Sequence, residues 1–166
     1  TGTGADDDVT VIGSTAVTLE GVDGPDTLTG GDGADTITGA AGDDILEGGM
    51  GDDTITGGDG QDTVVFAGNK GDFTFEVAGD GTLTITDLNT QTALGVDTIS
   101  GVETLRFNDG DLTVTTAQDG YVTLTGTGAD DDVTIVGSTA VTLEGVEGSD
   151  TLTGGEGADI ITGGDG

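Results

Sequence analysis

A single aliphatic residue recurs every nine positions between residues 21 and 65, and polar or small residues stand on both sides of it. Alternation of this kind over three residues is typical of a very short β-strand, whose middle side chain points to one face while its neighbours point to the other. The pattern therefore predicts a stack of short strands that each bury one side chain. The inward positions are Leu28, Ile37, Leu46, Ile55 and Val64.

Glycine and aspartate follow the same spacing. In each of the five units position 4 is Gly and position 6 is Asp. Glycine lets the backbone adopt positive φ and turn its carbonyl groups inward around a small ion, while Asp adds a charged oxygen. Ca²⁺ accepts this mixture of ligands. Because the Asp recurs in all five units, we interpret it as a metal ligand rather than as part of a solvated acidic repeat. The acids at positions 3 and 5, among them Asp43, are interpreted as solvent-facing.

A longer period of 124 residues is superimposed on the short one. Residues 1–42 recur as residues 125–166 with eight differences, several of which preserve the chemistry of the side chain. Such close copying predicts a tandem array of a repeat block plus an insert, of which this chain is a piece. The predicted segments are a block at 1–65 (degenerate units 2–20, regular units 21–65), an insert at 66–124 and a second block from 125 to 166.

The insert loses the nine-residue spacing. Phe73, Phe75 and Val77 alternate with polar residues, and Asp80–Gly81 is a tight-turn signal before a second alternating run. These features predict a β-hairpin and a small hydrophobic core belonging to the insert alone. Arg106 stands between two inward residues, so we expect it to form an ion pair on the outer surface.

The charge of the chain is extreme, with 33 acidic residues against 2 basic ones and a formal net charge of −31. Nucleic acid and anionic membranes are therefore excluded as electrostatic partners, and no apolar run approaches the length of a membrane span. A compact chain of this charge requires cations. Since Cys and His are absent, the oxygen-rich composition favours Ca²⁺ or Mg²⁺ over softer metals.

Residues 30–38 fit the pattern G-G-x-G-x-D-x-U-x without a mismatch, as do residues 48–56, 57–65 and 154–162. The chain thus resembles the RTX (repeats-in-toxin) family. The stretch 97–110 is similar to the β-rich segment that often follows such blocks. The resemblance implies an all-β fold in which parallel β-roll blocks alternate with a small β-rich insert. Two nonapeptides make one turn of such a roll, and several Ca²⁺ ions lie between successive turns along each edge.

The same resemblance implies which residues bind the metal. The position-6 carboxylates of units two apart should stack, with Asp26, Asp44 and Asp62 on one edge and Asp35 and Asp53 on the other. Glycine carbonyls are the expected companion ligands. The complete set comprises Asp7, Asp26, Asp35, Asp44, Asp53, Asp62, Asp131, Asp150 and Asp159 with Gly21, Gly24, Gly30, Gly31, Gly33, Gly39, Gly42, Gly48, Gly49, Gly51, Gly57, Gly58, Gly60, Gly148 and Gly157.

Two units depart from the pattern. The unit 2–10 keeps Asp7 but has Ala5 where glycine is expected, and the ten-residue unit 11–20 has no acid before Glu20. We expect the second of these, and its copy at 135–144, to form a strand without a complete ion site.

Repulsion between stacked carboxylates predicts that the metal-free roll is unfolded. Neighbouring turns of a sheet lie about 4.8 Å apart, and two charges at that distance repel by roughly 1 kcal/mol even in water. Each bound ion reverses the sign of this interaction. We therefore expect the chain to leave a low-calcium cytosol unfolded and to fold outside the cell or at its surface. The resemblance to RTX proteins implies a bacterial chain and type I secretion.

The preferred function is a structural repeat of an adhesin, S-layer protein or filament that Ca²⁺ makes rigid. Self-association into fibres or surface arrays through the strand edges of the insert is a further hypothesis. One alternative is the C-terminal secretion and folding module of an RTX exoenzyme. A less favoured one is an ice-binding β-solenoid, since outward Thr pairs such as Thr36/Thr38 and Thr54/Thr56 form a flat array of hydroxyl groups. Catalysis is not expected, because the sequence contains no His, Cys or Trp and a single Tyr.

Overall fold

The computed structural model describes residues 1–118 and 120–166, which form seventeen β-strands, one 3-10 turn at Lys70–Asp72 and no α-helix. No helix in this described part is long and apolar enough to cross a membrane. The strands build a parallel β-roll of about eight turns, as predicted. They are β1 Asp8–Thr10, β2 Thr18–Asp23, β3 Thr27–Thr29, β4 Thr36–Ala41, β5 Ile45–Glu47, β6 Thr54–Asp59, β7 Thr63–Val65, β8 Phe73–Val77, β9 Leu83–Asp87, β10 Val96–Ser100, β11 Thr104–Phe107, β12 Gly110–Thr116, β13 Val122–Thr125, β14 Asp132–Val136, β15 Val141–Glu144, β16 Thr151–Thr153 and β17 Ile160–Thr162.

The first block alternates between two sheets. Strands β1, β3, β5 and β7 are parallel neighbours in one sheet, and β2, β4 and β6 are parallel neighbours in the other. In register, Leu28 pairs with Leu46 and Ile37 with Ile55, so each turn of the roll consumes two nonapeptides. The predicted alternation is confirmed, because these four side chains are buried while Thr36 and Thr54 are exposed.

The insert continues both sheets. Strand β10 extends the first block in parallel from β6, with Ile99 opposite Ile55, and β11 extends it from β7, with Leu105 opposite Val64. The predicted hairpin is present as antiparallel β8 and β9. In each sheet one strand of the insert, β9 or β12, runs in the reverse direction. It pairs antiparallel with both of its neighbours, so the strands on its two sides run in the same direction. The second block then stacks in parallel on β8 and β13.

The hydrophobic core is continuous from the first block through the insert into the second. Leu28, Phe75, Ile99 and Leu143 all belong to one buried cluster. The prediction of a separate core for the insert is therefore wrong. Its aromatic residues fill the same space between the sheets as the single aliphatic residues of the repeats, because the insert strands lie in those sheets. The four Phe rings pack together at this point, with the rings of Phe66 and Phe107 stacked at 5.2 Å.

Candidate metal centres

The position-6 aspartates form two hydrogen-bonded ladders, one along each edge of the roll. The backbone N–H of Asp26 donates to Oδ1 of Asp44 at 2.8 Å, and that of Asp44 donates to Oδ1 of Asp62 at 2.9 Å. On the other edge the N–H of Asp35 donates to Oδ1 of Asp53 at 2.7 Å. The predicted division of these five residues between the two edges is confirmed, and all five are buried.

The second carboxylate oxygen, Oδ2, differs from Oδ1, because in most of these residues it accepts no hydrogen bond. An ionised carboxylate is an acceptor only, and burial without a partner is costly. In Asp35 the oxygen does accept the N–H of Gly31 at 2.8 Å. Buried Oδ2 atoms without a hydrogen-bond partner, among the described residues, occur in Asp26, Asp44, Asp53, Asp62 and Asp150.

The first glycine of each unit provides the space in front of this oxygen. A Cβ atom added to Gly39 would lie 2.9 Å from the carbonyl oxygen of Gly57 and would collide with Oδ2 of Asp44. The carboxylate oxygen of Asp44 and the carbonyl oxygen of Gly57, in the next turn, therefore lie on either side of the space next to Gly39. The same arrangement recurs at Gly21, where the facing carbonyl is that of Gly39 at 2.7 Å. A charged oxygen and a neutral oxygen around a space without a side chain fit a Ca²⁺ ion.

The glycines at positions 2 and 4 pass close to the backbone of the neighbouring turn. A Cβ atom at Gly51, for example, would lie 2.7 Å from the carbonyl oxygen of Gly33. This approach explains why glycine recurs there; the assignment of their carbonyls as ligands stays a prediction. The glycines concerned are Gly24, Gly31, Gly33, Gly42, Gly49, Gly51, Gly58, Gly60, Gly148 and Gly157.

Burial and stacking make the carboxylates hard to ionise without a cation. The pKa of Asp53 and of Asp62 is raised to about 6, chiefly by burial; a backbone hydrogen bond opposes this shift and the charges of nearby carboxylates add to it. Burial, again ahead of charge repulsion, also raises the pKa of Asp44. In the described residues no three acidic side chains come together in one cluster. A metal centre here would therefore combine a single carboxylate with backbone carbonyl groups, and this ligand set stays a prediction.

The outer ends of the ladders follow the same pattern. The N–H of Asp7 donates to Oδ1 of Asp26 at 2.8 Å, and that of Asp131 donates to Oδ1 of Asp150 at 3.0 Å. Asp159 accepts the N–H of Val141 at 3.1 Å. The unit 11–20 forms strand β2, as expected, and its ladder position is Val17, whose N–H donates to Oδ1 of Asp35 at 2.8 Å. A carboxylate is therefore missing from that rung.

Asp131 has a partner that the other ladder residues lack. Its Oδ1 lies 3.0 Å from Nζ of Lys70, which is fully buried, and its Oδ2 accepts the N–H of Thr127 at 2.8 Å. Lys70 also donates to the backbone carbonyl of Asp109 at 2.8 Å. The first rung of the second block thus already contains a cation that the chain itself supplies.

Comparison with known proteins places these repeats in a family. Residues 20–55, 41–69 and 142–166 match the profile of the RTX calcium-binding nonapeptide repeat. These segments are RTX calcium-binding nonapeptide repeats. The search of curated proteins found no match. Among solved structures, the extracellular lipase LipA from Serratia marcescens is similar with a TM-score of 0.54 and 24% identity, over 92% of this chain and 28% of the lipase chain. At that identity the likeness shows the fold alone.

Two ladder residues of this RTX roll lie outside its regular repeats and were missed from the sequence. Oδ1 of Asp97 accepts the N–H of Asp53 at 2.9 Å, and Oε2 of Glu103 accepts the N–H of Asp62 at 2.9 Å. The pKa of Asp97 is raised to about 7, chiefly by burial; the hydrogen bond from the backbone of Asp53 opposes this shift and the charge of Asp53 adds to it. The sequence does contain a signal for Asp97, because residues 97–101 match the last four positions of an RTX unit and the glycine that begins the next one. Asp97 lies 44 positions from Asp53, its neighbour in the ladder, so the nine-residue spacing does not connect the two.

Proposed function

We propose that this chain is a calcium-binding structural repeat of a secreted bacterial surface protein, of adhesin, S-layer or filament type, which folds and stiffens on Ca²⁺ outside the cell. The observation that carries the proposal is the column of buried carboxylates with unpartnered Oδ2 atoms, as in Asp26, Asp44 and Asp62. Each Oδ2 faces the carbonyl of the next turn, so an ion held there connects successive turns. We also propose that this chain has no catalytic activity.

The topology supports an array. Since the two antiparallel steps of the insert restore strand direction, a second block continues the roll that the first block began. Block and insert can therefore alternate many times without ending either sheet. The close copying of residues 1–42 in residues 125–166 is consistent with such alternation.

Secretion is supported by the family and by the acidic composition. The similar solved structure belongs to a lipase described as extracellular. Extracellular modules bind Ca²⁺ with dissociation constants of about 10⁻⁴ to 10⁻³ M, far above cytosolic calcium. The same chain is then unfolded during export and folded afterwards.

Small-angle X-ray scattering with and without Ca²⁺ tests the rigid-repeat function. We expect the radius of gyration to fall from roughly 43 Å, as for an unfolded chain of this length, to below roughly 20 Å. Electron microscopy of the calcium-loaded protein at high concentration then tests assembly. Ordered fibres or sheets are expected, and isolated particles at every concentration would contradict a filament role.

A second candidate is a folding module attached to a secreted enzyme. Its support is the likeness to part of a lipase, of which this chain spans 28%. The sequence of the complete protein separates the two candidates. A catalytic domain joined to a single block favours the module, whereas further copies of residues 1–124 favour the array.

Ice binding gains support from the strand register. Thr54 and Thr56 of β6 stand opposite Thr98 and Ser100 of β10, so the insert adds a rung to the hydroxyl array. Adjacent rungs of a sheet are about 4.8 Å apart, and alternate side chains along a strand are about 6.8 Å apart. Thermal hysteresis of the calcium-loaded protein, absent in a Thr54→Tyr variant and retained in Thr63→Tyr on the opposite sheet, would establish this activity.

A further inference from the structure

The last rung of one aspartate ladder is completed by a residue from outside the repeats. A Cβ atom added to Gly57 would lie 2.5 Å from Oδ2 of Asp62 and would collide with the carbonyl oxygen of Gly101. In the preceding rung the matching atoms are Oδ2 of Asp44 and the carbonyl oxygen of Gly57. Gly101 of the insert therefore takes the place that the next nonapeptide would occupy.

The groups around this rung are arranged as in the regular repeats. Asp62 is fully buried, its Oδ1 accepts the N–H of Asp44, and its Oδ2 has no hydrogen-bond partner. Its own N–H donates to Oε2 of Glu103, which replaces the next aspartate of the ladder from 41 positions away in the sequence. The carbonyl of Gly101 accepts the N–H of Gly58 at 3.1 Å. A carbonyl oxygen has two lone pairs, so one remains for a cation.

We propose that a Ca²⁺ ion bound between the carboxylate of Asp62 and the carbonyl of Gly101 fastens the insert to the first block. The inference rests on the proposed calcium function and extends it to a site formed by distant parts of the chain. The ion closes the loop that contains the β8–β9 hairpin, and it holds β10 and β11 at the end of the ladder. Calcium thus controls the docking of the insert as well as the folding of the repeats.

Hydrogen–deuterium exchange of peptides covering residues 98–107 tests this site. At a calcium concentration ten times the dissociation constant, an occupied site raises protection by about tenfold. We expect this gain in the wild-type protein and its loss in Asp62→Asn. The matched control is Asp26→Asn, which removes a carboxylate of the same ladder two turns away and should leave the protection of 98–107 within about twofold of wild type.

A second pair of variants fills the space instead of removing the charge. Gly57→Ala places a methyl group in the proposed site, and Gly39→Ala places one in the rung below. A selective loss of protection at 98–107 in Gly57→Ala and Asp62→Asn, relative to their controls, supports the site. Equal losses of protection in each variant and its control would overturn the site. Global unfolding of any of the four variants would overturn it as well. A wild-type protein that binds no Ca²⁺ would instead overturn the proposed function itself.

Discussion

Nζ of Lys70 lies 3.0 Å from Oδ1 of Asp131, and both side chains are fully buried. Lys70 is the only lysine of the chain, and it also lies 3.3 Å from Oδ1 of Asp109. It therefore joins the turn between β11 and β12 to the first ladder residue of the second block. At this rung an ammonium group of the chain provides the positive charge that faces the buried carboxylate.

Replacing Lys70 by Met should strongly destabilise the calcium-loaded protein. The substitution leaves the buried carboxylate of Asp131 without its charge partner, which costs about 3 kcal/mol. Urea unfolding at saturating Ca²⁺ measures the change. Arg106→Met is the matched control, because it breaks an exposed ion pair with Asp111 at 3.2 Å and should cost less than about 1 kcal/mol. Similar losses in the two variants would contradict the role given to Lys70.

Asp44→Asn should have opposite effects with and without calcium. The amide oxygen can still accept the N–H of Asp26, and removal of the charge relieves repulsion of roughly 1 kcal/mol in the calcium-free chain. With Ca²⁺ at ten times the dissociation constant, loss of a site removes about 1.4 kcal/mol. Asp43→Asn, at the neighbouring exposed position, should change stability by less than about 0.5 kcal/mol in both conditions. Urea unfolding measures the difference in saturating Ca²⁺, and the β-structure content by circular dichroism measures it in calcium-depleted buffer; a destabilising effect in both would refute the explanation.

Ala40→Gly should stabilise the roll, whereas the same substitution at Ala41 should destabilise it. Ala40 has φ of 88° at a position where most units have glycine, and Val22 and Val146 share this conformation. Relief of such strain is worth about 1 kcal/mol. Ala41 lies in strand β4 without a positive φ, so glycine there costs about 0.5–1 kcal/mol. The melting temperatures at saturating Ca²⁺ should move in opposite directions; a shift in the same direction would be inconsistent with backbone strain.

Lowering the pH should promote folding without calcium and weaken calcium binding. Burial raises the pKa of Asp97 to about 7 and those of Asp53 and Asp62 to about 6, above the ordinary value of 3.8. The folded state therefore holds more protons than the unfolded state between about pH 4 and pH 7, and its stability rises as the pH falls through this range. Circular dichroism in calcium-depleted buffer should show more β-structure at pH 5 than at pH 8.

Protons compete with Ca²⁺ for the same oxygens. The calcium concentration at the folding midpoint should accordingly be higher at pH 5 than at pH 8. A midpoint that is constant between these pH values would show that the buried carboxylates do not bind the metal.

The repeat spacing predicted the stack of short strands, and the resemblance to RTX proteins predicted its register and the stacking of the aspartates. Each of these depends on local periodicity, as the pairing of Ile37 with Ile55 illustrates. The positions of Asp97, Glu103 and Lys70 were not predicted, because each depends on a contact across the insert rather than on the spacing of its neighbours. The separate core expected for the insert was wrong for a related reason. Alternating residues such as Phe73 and Phe75 reveal a strand but not the sheet that it joins.

The most direct test of the account is a calcium titration followed by far-ultraviolet circular dichroism, starting from calcium-depleted protein at pH 7.5. Neutralisation of the stacked carboxylates predicts a largely unfolded spectrum at the start and a cooperative gain of β-structure at about 10⁻⁴ to 10⁻³ M Ca²⁺. A β-rich spectrum that is the same before and after the addition of calcium would contradict it.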